Sequence, residues 1–188
     1  MAYMTMDYSG LLGMEGFSDT LLNNHFTLYQ GYVTNTNKLI ELLEAMLKDG
    51  RAGTPAYAEI KRRMGFEFNG MRLHELYFGN LGGKQAPDKV VKLVADFGSY
   101  EEWQKDFKAT GMMRGIGWVI LYKDNVSGKL FNQWINEHEN GHLAGCAPLL
   151  VMDVFEHAFI TDYGLKRAAY IDAFFNSINW EVVVSRLK

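Results

Sequence analysis

Between Ser18 and Gly50 apolar residues return every three or four positions, at Leu21, Leu22, Leu28, Tyr32, Val33, Leu39, Ile40, Leu43 and Met46. That is the period of a long helix with one buried face, started by the capping pair Ser18-Asp19 and stopped by Gly50. A second helical pattern opens at Pro55, passes Ile60 and Met64, and runs towards Leu81, where Gly82 and Gly83 end it; proline suits a first turn, and Gly65 and Gly70 weaken the middle. The two segments predict an antiparallel helical hairpin. The polar stretch Lys84 to Asp88, with Pro87 inside it, predicts a linker, after which Val90, Val91, Leu93, Val94 and Phe97 resume a helical spacing. Ser99 with Glu102 forms a capping box for a further helix to about Thr110.

The pattern then changes. Trp118 to Lys123 and Leu130 to Asn136 are strand-like and flank the turn-forming run Asp124-Asn-Val-Ser-Gly128, which predicts a hairpin. Leu149 to Met152 is a short apolar run entered through Pro148, and predicts a buried third strand. Helical spacing returns over Leu165 to Ile178 and again over Trp180 to Leu187. The expected class is therefore α+β: an N-terminal antiparallel helical hairpin, then helices around a small three-stranded antiparallel sheet. The expected division is 1–84 for the helical-hairpin domain and 85–188 for the C-terminal α/β domain.

With 188 residues, 48% of them hydrophobic, the chain has ample material for a core. A net charge of −3 gives no overall basic field, so nucleic acid is not expected as a partner; a local group of Lys and Arg can still steer a small anion. The one cysteine, Cys146, can form neither an internal disulfide nor a cysteine metal cluster. Met1 to Gly10 lacks the basic and apolar regions of a secretory signal, and no apolar run approaches the roughly 20 residues that span a bilayer. A cytoplasmic protein with no membrane association is the expectation.

Five histidines occur, and their placement is informative. His25 shares a helix face with Leu21, Leu22, Leu28, Tyr29 and Tyr32, and His74 lies among Leu73, Leu76 and Tyr77. Each can be a satisfied core histidine, or the antiparallel helices can aim both imidazoles at one point. Asp153 and His157 stand four apart at the exit of the third strand. A carboxylate there must pair, cap the next helix or ligate a metal. Three imidazoles and one carboxylate suit a mononuclear iron or manganese ion.

The same residues carry a family resemblance. His74-Glu-Leu-Tyr-Phe-Gly-Asn-Leu81 resembles the His-x-x-Phe-Trp-x-x-Leu signature of iron/manganese superoxide dismutases. Gly115-Ile-Gly-Trp118 is similar to their Gly-Ser-Gly-Trp, and Asp153-Val-Phe-Glu-His-Ala158 to their Asp-Val-Trp-Glu-His-Ala. The resemblance continues through Tyr163, Arg167, Tyr170 and Asn176 to Asn179-Trp180. It implies an antioxidant oxidoreductase that takes superoxide as substrate, one iron or manganese ion per chain, and His25, His74, Asp153 and His157 as ligands. It further implies Tyr32 as a gateway tyrosine and Trp118 and Phe155 as an apolar wall. A histidine from Asn136-Glu-His138-Glu-Asn-Gly-His142 would bond the metal-bound solvent, with His138 preferred and His142 the alternative. A homodimer or homotetramer is implied, with Glu156 at the dimer interface.

The chain also departs from the pattern. Asn24, not His25, falls where the first ligand aligns without a gap. Phe155 and Phe175 replace tryptophans, and the family's proline-rich opening is missing. Ile160 replaces a tyrosine that in the family reaches across the dimer to a histidine, where this chain offers Tyr29 or Leu28. These changes motivate a rival reading, a metal-binding homologue without efficient turnover. A carboxylate-bridged di-iron oxidase is disfavoured, because the one Glu-x-x-His, Glu139 to His142, contains Gly141.

Overall fold

In the computed structural model, residues 2–83 and 95–187 are described. The expected linker at 84–88 and the pattern at 90–94 lie outside them. Helix α1 covers Asp19–Lys48 and α2 covers Pro55–Gly79. Ser18 Oγ accepts from Leu21 N at 3.1 Å and Thr54 Oγ1 from Tyr57 N at 3.2 Å, so each helix begins at a side-chain cap. The buried stripe of α1, at Leu21, Leu22, His25, Tyr29, Val33, Thr36, Leu43 and Met46, faces the stripe of α2 at Glu67, Gly70, Met71, His74, Tyr77 and Phe78. The two form the expected hairpin. Neither Gly65 nor Gly70 interrupts α2.

Helix α3 covers Tyr100–Gly111, started by Ser99 Oγ accepting from Glu102 N. The sheet follows, with β1 at Gly117–Asp124, β2 at Leu130–Asn136 and β3 at Cys146–Asp153, in the order β2-β1-β3 and antiparallel throughout. The central strand is buried from Gly117 to Tyr122, as its continuous apolar run requires. Strand β3 starts at Cys146, three residues before the apolar run at Leu149. Pro148 is therefore inside it, opposite Tyr122, next to the register shift between Leu121 and Tyr122; an irregular position on an edge strand tolerates a missing N–H. Helical turns α4 (Ile160–Tyr163), α5 (Arg167–Asn176) and α6 (Trp180–Ser185) complete the described chain. No helix among the described residues is long and apolar enough to cross a membrane.

Two side chains fix α2 against the outer edge of β3. Asn80, just past α2, accepts from Val151 N at 2.9 Å and donates to Val151 O at 3.2 Å. Arg186 donates to Leu149 O at 2.8 Å and to Leu76 O at 3.0 Å, satisfying a carbonyl of the last turn of α2. The edge of β3 is thereby covered, and the helix that carries His74 is held beside the strand that ends in Asp153.

Candidate metal centre

Register and helix period bring four side chains to one point. His25 comes from the mid-face of α1, His74 from α2, Asp153 from the last position of β3, and His157 from the 3₁₀ turn Glu156–Ala158. One ligand atom from each lies within 4.8 Å of the others. Asp153 Oδ2 is 3.2 Å from His25 Nε2, 3.0 Å from His157 Nε2 and 3.8 Å from His74 Nε2. Donors about 2.1 Å from a shared ion, at angles of 90–120°, stand about 3.0–3.6 Å apart; the Asp153 contacts lie close to this, and the wider pairs of the set would have to draw in around an ion.

The protonation pattern tests the fit independently. His74 Nδ1 sits 2.6 Å from Gly70 O. A carbonyl only accepts, so Nδ1 carries the proton and Nε2 keeps its lone pair. That lone pair is buried, has no hydrogen-bond partner among the described residues, and faces the Asp153 carboxylate. Two acceptors facing each other in a dry cluster are costly unless a cation lies between them. His25 Nδ1 is likewise buried with no partner among the described residues.

Electrostatics agree. Burial raises the Asp153 carboxyl, but His157 and the hydrogen bonds from His157 and His25 outweigh it, holding it far below the usual carboxylate range. Burial pushes His25 down and His74 well down, keeping both neutral and able to donate a lone pair. His157 is also partly desolvated, yet the Asp153 charge raises it above its ordinary value.

Asp153 does not cap the next helix, since the 3₁₀ segment has Phe155 at its N-cap and no side-chain cap bond. Its Oδ1 accepts from Phe155 N at 2.8 Å, shaping the turn into the 3₁₀ segment, while Oδ2 faces the histidines. Tyr170 Oη donates to its backbone carbonyl at 2.6 Å, with Tyr77 Oη 3.1 Å behind. Asn24 is exposed and His25 buried, so α1 presents His25 to the cluster.

A second layer surrounds this one. Trp118 pairs with Asp153 across β1 and β3, and its Nε1 donates to His138 Nδ1 at 3.0 Å. An indole N–H only donates, so His138 carries its proton on Nε2 and donates it to Tyr32 Oη at 2.7 Å. The Tyr32 ring stacks on His74 at 5.1 Å, and Phe155 stacks on His157 at 5.2 Å. Burial lowers the His138 imidazole to about 4 and, with the Asp153 and Glu67 charges, raises the Tyr32 phenol to about 12. Both are neutral near pH 7.

His142 stands apart from the donor set: it is exposed, with Nδ1 2.6 Å from Tyr122 Oη and Nε2 2.9 Å from His138 O. Ile160 is 47% exposed, and Tyr29 is turned inward, donating to Glu75 Oε1 at 3.0 Å. Gly70 went unnoticed as a site residue. A Cβ there would come 2.5 Å from Tyr32 Cδ1, so the bare backbone both seats Tyr32 and accepts from His74. The signal was present in the sequence, since a glycine inside a helix costs about 1 kcal/mol and calls for a local reason.

A helical hairpin packed on a small antiparallel sheet, with three imidazoles and one carboxylate at their junction, defines a protein built around a mononuclear metal centre. Comparison with known proteins narrows the class. Residues 87–186 match the model for iron/manganese superoxide dismutases, C-terminal domain. The chain is 38% identical to an iron superoxide dismutase of Aquifex pyrophilus, over 93% of this chain and 86% of the relative. It is 38% identical to one of Cupriavidus metallidurans, over 92% and 89%, and 35% identical to manganese superoxide dismutase 2 of Haloferax volcanii, over 87% and 82%. The chain belongs to the iron/manganese superoxide dismutase family, a family of oxidoreductases.

Proposed function

We propose that the chain is a superoxide dismutase that holds one iron or manganese ion on His25, His74, His157 and Asp153. The observation that carries this is the unprotonated His74 Nε2 facing a buried carboxylate with no proton between them. Bound there, such an ion would supply a one-electron couple able to oxidise one superoxide to dioxygen and to reduce a second, which takes up two protons to leave as hydrogen peroxide. The protein supplies the rest. Tyr32, whose oxygen accepts from His138, keeps its own hydroxyl proton free to donate to an oxygen species beside His74. Trp118 and Phe155 close the apolar wall, and Trp118 also fixes the His138 tautomer. His138 thus acts on the reacting oxygen through Tyr32, and its hydrogen bond tunes how readily that proton is given up.

The chain would divide at 84/85, and the family model's start at residue 87 supports that division. A homodimer or homotetramer would form through the exposed Glu156 and the face that leaves the His157 side chain 24% exposed.

The rival reading, a metal-binding homologue with little turnover, rests on Ile160 and Tyr29. The family's cross-subunit pair is changed at both positions, and Tyr29 is committed to Glu75 within its own chain. Superoxide consumption by the purified chain, loaded separately with iron and with manganese and assayed for metal content, separates the two. Fast turnover with either ion establishes the enzyme and names its working metal. Full metallation without turnover establishes the homologue.

A further inference from the structure

His138 sits at the tip of a tight loop. Asn136 and Asn140 close it by exchanging backbone hydrogen bonds at 2.8 and 3.2 Å, and Glu137 inside it has φ +52, a conformation unfavourable to a side-chain-bearing residue. Nothing in such a loop by itself holds an imidazole to within a few tenths of an ångström of Tyr32. Trp118 Nε1 holds the ring at Nδ1 from the central strand, and a second side chain from outside the loop reaches the His138 backbone. His142 Nε2 lies 2.9 Å from the His138 carbonyl, and His142 Nδ1 lies 2.6 Å from the hydroxyl of Tyr122, a buried residue of the central strand. The carbonyl accepts only, so Nε2 carries the proton and Nδ1 takes the Tyr122 hydroxyl proton. Burial raises the Tyr122 phenol, which therefore remains a donor.

We infer that His142 is a positioning residue: it ties the backbone of His138 to the rigid centre of the sheet, and so sets the His138–Tyr32 hydrogen bond. This rests on the reading of His138 as the partner of Tyr32 in turnover. It assigns His142 a task away from the reacting atoms, transmitted through one carbonyl.

The test uses the full-length, metal-loaded chain. In His142→Gln the amide nitrogen stands as many bonds from Cα as imidazole Nε2 and keeps the bond to His138 O; in His142→Asn the amide mimics only Nδ1 and cannot. Hydrogen–deuterium exchange of the peptide covering residues 136–142, read beside turnover and metal content, is expected to rise only modestly in His142→Gln, which keeps the bond to the carbonyl and gives up the one to Tyr122. In His142→Asn, exchange should rise and turnover fall, each by about tenfold, with metal content unchanged. Tyr122→Phe keeps the buried ring and removes only the hydroxyl, and it should raise exchange in the same peptide. Wild-type behaviour of His142→Asn and Tyr122→Phe, or equal losses in His142→Gln and His142→Asn, would overturn the inference. His138→Ala separates the layers. If it lowers turnover while the His142 variants do nothing, this inference alone fails; if it too is silent, the reading of His138 fails first and takes this inference with it.

Discussion

His74 is held by a single hydrogen bond on its far nitrogen, and that bond decides what the near nitrogen can do. With Nδ1 donating to Gly70 O at 2.6 Å, Nε2 is left as a pure lone-pair donor. His74→Ala is expected to purify with almost no metal and no turnover, measured by elemental analysis; full occupancy would remove His74 from the ligand set. Tyr32→Phe should keep its metal and lose roughly tenfold or more in turnover, because the ligands stay while the proton donor goes. His138 gives a pH prediction. Burial holds it at about 4, whereas the unfolded chain takes up the proton near the ordinary 6.5. The neutral ring's contribution is therefore complete above pH 6.5 and lost as pH falls from 6.5 towards 4, by on the order of 3 kcal/mol. In denaturant titrations, His138→Gln should show a shallower fall in stability over that interval, and an identical slope would contradict the burial argument. At this scale His74 was legible in one short motif and Asp153 with His157 in another, whereas His25 was named from its helix face against Asn24, the ungapped match. The direction of the Trp118–His138–Tyr32 chain was not, since it follows from which nitrogen meets which donor across 20 and 106 residues of sequence separation.

The elements carry the four clustered side chains, and their ends are where they can be loosened. Ser18 caps α1 and in addition joins it to α4: its Oγ donates to Asp162 Oδ1 at 2.6 Å and its backbone N to Oδ2 at 2.7 Å. Ser18→Ala should cost about 1–2 kcal/mol of unfolding free energy with metal content unchanged, read from denaturant midpoints; a neutral result would mean that α1 is held by packing alone. Helix and strand positions were legible because α1 keeps a helical period, β1 is a continuous apolar run and a turn-forming segment separates β1 from β2. Two features override local preference. The helix α2 runs through Gly65 and Gly70 because burial against α1 outweighs glycine's cost, and β3 runs through Pro148 because the strand there is at an edge and out of register. Propensity alone shows neither, as both depend on the neighbour.

Across the whole molecule the site is the junction, with His25 and His74 from the hairpin and Asp153 and His157 from the end of the sheet. Anything that binds there stabilises the contact between the two halves, since the unfolded chain offers no preformed site. Removing metal by chelation should lower the thermal unfolding midpoint by about 10 °C, the scale expected for about 4 kcal/mol in a chain of this size. An unchanged midpoint would mean that the donor set is not occupied in the folded protein. The sheet and the hairpin were each legible in the sequence. Their mutual placement was not, because it depends on Asn80 and Arg186, polar residues whose partners are backbone groups far away in the chain.

His25 and Asp153 lie 128 residues apart, and that separation has a bearing on how the ion is acquired during biosynthesis. A ribosome adding 5–20 residues per second needs roughly 6 to 26 s to travel from the first donor to the carboxylate. Once His74 has followed, and until Asp153 does, the nascent hairpin offers two imidazoles and no aspartate partner for them, a weak and unselective trap for passing cations. Discrimination between iron and manganese therefore falls late, after the third strand has paired, and the cell's free metal concentrations at that moment have more influence on loading than those at initiation.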